Sequence, residues 1–219
     1  MSEVIRSAAT TFGSKHSPYE FLVLRQDDAT RQYHWLGLLS RRDGEYLFHY
    51  TQEAATNPVL RPLPGFPDRL RHYRSTYLFA TFTNRVMTPR RESYQVFLEM
   101  IGLSGGVADP FEVLARTWGT RTTDRIQVLP VPRVDEHGRL RTRFLVHGGG
   151  HVDPQASQLR LVQPGDTLTI VAEPGNPKDP RAVLVCRRDA RGKLGYVPRP
   201  LAPLIQVLWE ERVDITVTA

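Results

Sequence analysis

Glu173-Pro174-Gly175-Asn176-Pro177-Lys178-Asp179-Pro180-Arg181-Ala182, followed by an apolar run and then by Leu194-Gly195-Tyr196-Val197-Pro198-Arg199-Pro200-Leu201-Ala202, is the stretch on which the reading of this chain turns. The first decapeptide holds three prolines, a glycine and an asparagine. Proline fixes φ and lacks an amide hydrogen, which excludes regular helix and inner strand, while Gly and Asn favour turns. The segment is therefore read as a rigid loop presenting Lys178, Asp179 and Arg181 in fixed positions. Apolar strands anchor it on each side, and a polar loop on a small β framework is where binding residues concentrate.

The charge pattern around this loop is one-sided. From Lys178 to Arg199 stand Lys178, Arg181, Arg187, Arg188, Arg191, Lys193 and Arg199, against only Asp179 and Asp189. The whole chain of 219 residues carries a net charge of +6, and its only lysines are Lys15, Lys178 and Lys193. The planar arginine fork suits bidentate phosphate contacts, so this usage is compatible with nucleic-acid binding. An apolar fraction of 40% and a charged fraction of 24% describe an ordinary globular chain. No segment approaches the 18 or so consecutive apolar residues of a membrane span. Met1 to Ser14 is polar and does not read as a secretory signal. The single Cys186 lies in the apolar run Ala182–Cys186 and is expected to be a buried thiol, which fits a reducing cytoplasm.

Upstream, Tyr19–Leu24, Tyr33–Leu39 and Glu45–Tyr50 have strand patterns, with Asp43-Gly44 as a hairpin turn between the last two. Residues 54–75 read as loop, with Pro58, Pro62, Pro64 and Pro67 in close succession. A helix is predicted from a Thr88 cap and Pro89 through Tyr94, Phe97, Leu98 and Ile101 to Gly102. A second is predicted from an Asp109 cap and Pro110 to Gly119. Arg125–Leu129 returns to strand. The first domain, residues 1–135, is thus α+β. Residues 136–143 belong to a proline- and charge-rich stretch without periodicity and read as a linker. Downstream, strands are predicted at Phe144–His147, Thr167–Val171, Ala182–Cys186, Lys193–Val197 and Val213–Val217. Arg191-Gly192 marks a turn, and a short helix runs from Leu201 to Glu210. Such a pattern in residues 144–219 suggests a small closed or partly open β-barrel of the OB/SH3-like kind with one or two short helices.

Residues 144–219 resemble the HIRAN domain, a small β-rich module found alone in bacteria and appended to DNA-repair helicases. The features that carry the resemblance occur in order: a first strand ending at Gly148, the Pro164-Gly165 turn, the Glu-Pro-x-Asn-Pro-x-Asp loop, and Gly-Tyr-x-Pro-Arg before the last helix. The resemblance implies binding of single-stranded DNA with a preference for a free 3′ end, and no cofactor. It implies that Asp179 accepts a hydrogen bond from the 3′-hydroxyl and repels a continuing phosphate. Arg199 and Lys193 would hold phosphates, and Tyr196 would stack on a base or touch the backbone. Lys178 and Arg181 flank this pocket, and His151 aligns with a family aromatic. Lys178 stands where the family often has a stacking tyrosine, and the sequence ends at Ala219, directly after the last predicted strand. These departures support a rival reading, a protein-interaction regulator in a toxin–antitoxin or defence complex that has lost DNA binding.

The amino-terminal region resembles the amino-terminal domain of HipA-type kinases through Leu36-Gly37-Leu38-Leu39, Tyr46–Tyr50, Phe82-x-Asn84, Pro89, Gly102-Leu103 and Asp109-Pro110-Phe111. That resemblance implies a scaffold role with a helicase, nuclease or HipA-type kinase as partner, and no kinase motif is present. Gly102-Leu103-Ser104-Gly105-Gly106 matches G-x-S-x-G, yet the predicted helix precedes the serine, whereas the esterase elbow needs a strand before it and a helix after it. It reads as a helix cap and turn, and no catalytic residue is assigned. His147, His151 and Asp153 fall in a glycine-rich turn and make a weak metal set. Trp35, Trp118 and Trp209 occupy apolar periodic positions and are expected in the core.

Overall fold

The computed structural model describes residues 20–30, 32–121, 123–134, 137, 139–188 and 192–219. The polar start from Met1 to Ser14, Lys15, Tyr19, Asp189, Arg191 of the expected turn, and Glu136 and Gly138 of the expected linker lie outside the described residues. The chain divides into two compact units, with the boundary between Arg143 and Phe144. Among the described residues no helix is long and apolar enough to cross a membrane.

The first unit is built on a five-stranded antiparallel sheet. Strands β1 (Glu20–Gln26), β2 (Tyr33–Arg42), β3 (Glu45–Tyr50), β4 (Tyr73–Ser75) and β5 (Ile126–Pro130) are ordered β4-β3-β2-β1-β5. The β2–β3 hairpin turns at Asp43 and Gly44, both with positive φ (50° and 81°), as a two-residue primed turn requires. Register places Phe21 opposite Leu39 and Leu39 opposite Phe48, so one face carries a row of large apolar side chains. Leu63, Phe66, Phe82, Phe111 and Leu114 close the core over that face. Phe21 meets Phe111 edge-on at 5.0 Å, an arrangement aromatic quadrupoles favour. Gly37 is required by this packing: a Cβ there would lie 2.4 Å from the His49 carbonyl oxygen and 2.7 Å from the Phe48 ring.

The proline-rich segment read as loop is held from the core. The buried Tyr50 hydroxyl donates to the Phe66 carbonyl (2.8 Å) and accepts from the Leu63 amide (2.7 Å). Arg69 donates to the carbonyls of Ala54, Asn57 and Leu60. The segment is not entirely irregular, because the short helix α1 (Gln52–Thr56) overlaps its start and β4 ends it. Beyond it come α2 (Ala80–Thr83), α3 (Tyr94–Met100) and α4 (Pro110–Thr117).

The predicted start of α3 is corrected. Thr88-Pro89 has the composition of a cap and first turn, but the chain makes turns through 88–93 and the helix begins at Tyr94. Its end follows the sequence: Gly102 (φ 70°) donates to Glu99 and Leu103 donates to Leu98, the paired bonds of a Schellman stop. In α4, Asp109 caps the Phe111 amide at 2.9 Å, and Trp118 already adopts the left-handed conformation one residue before Gly119. The stretch from Pro130 to Arg143 carries a two-residue ladder, with β6 (Arg133–Val134) against β7 (Leu140–Arg141).

The second unit holds a four-stranded antiparallel sheet ordered β10-β9-β8-β11, from β8 (Thr167–Ala172), β9 (Val183–Arg187), β10 (Lys193–Tyr196) and β11 (Val217–Thr218). Central β9 buries Val183, Leu184, Val185 and Cys186, and helix α6 (Ala202–Glu210) adds Ala202 and Ile205 to that core. Two expected strands are corrected. Phe144–His147 contributes only a single bridge from His147 to Tyr196, and Leu145 and Val146 are exposed. Gly148, in the left-handed region at φ 67°, then turns the chain into α5 (Gly149–Val152), a helix the sequence pattern does not announce. Val213–Val217 pairs only from Val217, because the chain leaves α6 through a left-handed Arg212 and reaches β8 late. With both ends short, the ladder stays open among the described residues, and β10 and β11 do not pair to close a barrel. Trp118 is buried, whereas Trp35 and Trp209 are only half-buried.

Candidate nucleic-acid interface

The loop at 173–182 is a closed structure tied at both ends. The Glu173 amide donates to the Ala182 carbonyl at 2.9 Å, continuing the β8–β9 ladder by one bond. Inside the loop one side chain does most of the ordering. Asn176 Oδ1 accepts from the amides of Lys178 (3.0 Å) and Asp179 (3.2 Å), an Asx-type turn. Its Nδ2 donates to Glu173 Oε2 (2.7 Å) and to the Tyr196 hydroxyl (3.2 Å). Tyr196 in turn donates its hydroxyl to Glu173 Oε2 at 2.8 Å. The triangle of Glu173, Asn176 and Tyr196 thereby fixes the loop onto strand β10.

The electrostatics follow this geometry. Hydrogen bonds from Asn176 and then Tyr196 hold the Glu173 carboxyl below the ordinary carboxylate range, helped by Lys193. Burial and the bond to Glu173 push the Tyr196 phenol above its ordinary value. Lys193 Nζ lies 3.5 Å from Glu173 Oε1 and is half exposed.

Asp179 is engaged on both oxygens. Oδ1 accepts from the Arg181 amide (3.0 Å), a local turn bond, and Oδ2 accepts from Arg199 Nε (2.7 Å). Arg199 also donates Nη2 to the Lys178 carbonyl at 3.1 Å. Gln206 on α6 reaches the Arg181 carbonyl at 3.4 Å. Lys178 and Arg181 project from the rim, exposed and without an ion-pair partner among the described residues.

The structure brings Lys178, Asp179, Arg181, Lys193, Tyr196 and Arg199 together around one loop. His151 is placed differently. It is exposed on α5, and none of its side-chain bonds joins this network; only the backbone around it approaches the site. The His147–Tyr196 bridge runs alongside, and a Cβ on Gly148 would touch the Tyr196 ring at 3.4 Å. Gly195, with φ 144°, allows this approach, since a Cβ there would lie 2.6 Å from the His147 carbonyl oxygen.

Sequence reasoning missed Glu173 and Asn176. Their spacing in Glu-Pro-Gly-Asn is a local signal for a side-chain-closed turn, but the third member, Tyr196, arrives from 20 residues downstream of Asn176. Asp153, considered beside His147 and His151 for a metal, instead accepts from Ser157 Oγ and the Gln158 amide, closing the turn before the 3-10 segment Leu159–Leu161. Among the described residues no group of three or more His, Cys, Asp or Glu is placed to hold a metal ion.

The family model of the HIRAN domain matches residues 142–218, which span the open sheet, the closed loop and helix α6. HIRAN domains are in general nucleic-acid-binding modules for single-stranded DNA and 3′ ends. No curated protein and no solved structure matches the chain.

Proposed function

We propose that the chain is a DNA-binding accessory protein of the cytoplasm, acting in DNA repair or genome defence, that recognises single-stranded DNA or its 3′ end through the loop at 173–182. The observation that carries the reading is the pairing of a fixed carboxylate with unneutralised cations. Asp179 is held at 2.7 Å by Arg199 while Lys178 and Arg181 stand exposed beside it. The cations supply sequence-independent phosphate attraction, and the carboxylate disfavours a continuing phosphate, so a chain end is preferred over an internal nucleotide. Tyr196, Lys193 and His151 are assigned to the nucleotides that lead up to the end. On the sequence resemblance to the amino-terminal domain of HipA-type kinases, which no comparison shows, we assign the amino-terminal unit a docking role toward a helicase, nuclease or kinase, and we ascribe no catalysis to the chain itself.

The test is fluorescence anisotropy with a labelled single strand carrying either a 3′-hydroxyl or a 3′-phosphate, across a salt series. The free end should bind about tenfold more tightly, with affinity falling as salt rises. Asp179→Ala should bring the two ends to equal affinity. Equal binding of both ends by the unaltered protein would sink end recognition. One observation favours a second reading: Asp179 and Arg199 already pair with each other without a ligand, as they would in a loop kept for protein contact. Absence of DNA binding even at low salt, together with a co-purifying protein partner, would decide for that reading.

A further inference from the structure

The amino-terminal unit contains a cleft of about 790 Å³, lined by the ends of β1 and β5, by Pro64 and Gly65, and by helix α2. This is within the size range of small-ligand pockets, about 300–1,000 Å³. Its wall carries Arg25, Arg85, Arg121 and Arg125 against the carboxylates of Asp28 and Asp124. Arg85 is the fixed charge. Its side chain is 3% exposed, it pairs with Asp124 at 2.6 Å, and its Nη1 donates to the carbonyls of Gly119 and Ile126. Among the described residues its buried Nε has no hydrogen-bond partner. Arg125 pairs with Asp28 at 2.9 Å, but both side chains are well exposed, so the pair is weak and exchangeable.

Among the described residues the remaining two cations form no ion pair, although Asp124 attracts Arg25 at longer range. Arg25 is half-buried and spends Nη1 on the Arg61 carbonyl at 2.6 Å; burial pushes its guanidinium below its ordinary range. Arg121 is exposed and has no ion-pair partner among the described residues. Asp124 offsets the charge of Arg85, so the positive surplus of the wall comes from Arg25 and Arg121. The unmade Nε donor of Arg85 lies in surroundings of low dielectric, where such a bond is costly to leave unmade. A solvated rim of surface arginines lacks such a buried donor.

We propose that this cleft binds a small phosphorylated ligand of the size of a nucleoside diphosphate, with its phosphates held by Arg25, Arg121 and Arg125 against the fixed charge of Arg85. Guanidinium forks match phosphate oxygens in bidentate geometry, and the formal surplus of positive groups over carboxylates suits a multiply charged anion. The same terminal phosphate chemistry is offered by a free nucleotide and by the 5′-phosphorylated end of a short DNA strand. The assignment does not depend on the loop at 173–182.

Isothermal titration calorimetry on the full chain at low salt tests it with ADP, inorganic pyrophosphate, adenosine, and a dinucleotide with or without a 5′-phosphate. ADP and pyrophosphate should bind and adenosine should not. Arg121→Glu and Arg125→Glu should each weaken ADP at least tenfold, whereas Arg91→Glu, an equal charge change on an exposed residue outside the cleft, should change it less than twofold. Lys178→Glu with Arg181→Glu should leave it unchanged, which separates this site from the loop. Binding of the 5′-phosphorylated dinucleotide but not ADP, with the same dependence on Arg121, would support the phosphate site and assign its source to a DNA end. Equal loss in Arg121→Glu and Arg91→Glu would reduce the effect to general attraction of polyanions and overturn the proposal. Binding of adenosine as tight as ADP, or no binding of any phosphate probe, would do the same. Should Arg121→Glu not fold, as judged by circular dichroism, Arg121→Gln gives the deciding comparison.

Discussion

Replacing Asn176 by alanine removes four hydrogen bonds with one side chain, two accepted from the Lys178 and Asp179 amides and two donated to Glu173 and Tyr196. A typical net contribution is about 0.5–1.5 kcal/mol per bond. The four share one partly buried residue and are not independent, so a loss of about 2–3 kcal/mol is expected rather than the full multiple. For a unit of this size that corresponds to a fall of roughly 10–20 °C in melting temperature. Because the chain has two compact units, a global melt mixes them, and hydrogen exchange read on peptides from 167–199 isolates the effect. The amides of Lys178 and Asp179 should lose protection first, since their acceptor is gone. DNA affinity should fall with it, because the loop would then be ordered only on binding. Unchanged exchange at Lys178 and Asp179 would refute the claim that Asn176 organises the loop. So would a carboxy-terminal unit that melts within 1–2 °C of wild type, on the same scale.

Two further outcomes follow from the same kind of arithmetic. The depressed Glu173 carboxyl contributes stability that is complete above the ordinary glutamate range and is lost as pH falls through its lower folded value, so the carboxy-terminal unit should weaken below about pH 4. Glu173→Gln should flatten that acid limb in urea titrations across pH, and an unaltered limb would show that other carboxylates set it. Gly37→Ala should cost about 3 kcal/mol or more, since its Cβ would meet the His49 carbonyl oxygen and the Phe48 ring inside van der Waals contact; a urea midpoint equal to wild type would contradict the packing described.

What was legible in the sequence was local. The β2–β3 hairpin was readable because Asp43-Gly44 satisfies its turn without outside help, and α4 because Asp109-Pro110 supplies cap and first turn within three residues. Thr88-Pro89 has the same local chemistry, yet the turns of 88–93 displace the helix start to Tyr94. Where an element depends on a distant partner, the pattern misleads. Phe144–His147 is apolar enough for a strand but finds only Tyr196 to bridge, and Val213–Val217 alternates well but meets β8 at its last residues alone. The same holds for the expected closed or partly open barrel: closure rests on pairings that no local pattern encodes, and among the described residues the sheet is open. The site divides likewise. A rigid polar loop presenting Lys178, Asp179 and Arg181 could be read directly, whereas the contact of Asp179 with Arg199 joins residues 20 apart and could not.

That contact bears on whether the loop is a finished structure or a prepared one. A carboxylate offers about four acceptor positions and a guanidinium five donors. Asp179 uses one position on each oxygen, for Arg199 and for the Arg181 amide, and Arg199 uses Nε and one Nη2 hydrogen. Both groups therefore retain capacity in the directions their mutual bond leaves open. A terminal hydroxyl can add to Asp179, and a phosphate oxygen to Arg199, without breaking the pair. The pair then acts as preorganisation: it removes rotamer freedom from two long or charged side chains before the ligand arrives, which lowers the ordering cost of binding. An internal phosphate approaching the same place meets a carboxylate that its bond to Arg199 holds in position. The selectivity for an end thus depends on Arg199 as much as on Asp179, and Arg199→Gln, which keeps a donor but loses the charge, should narrow the difference between free and blocked 3′ ends even where overall DNA affinity falls only a few-fold.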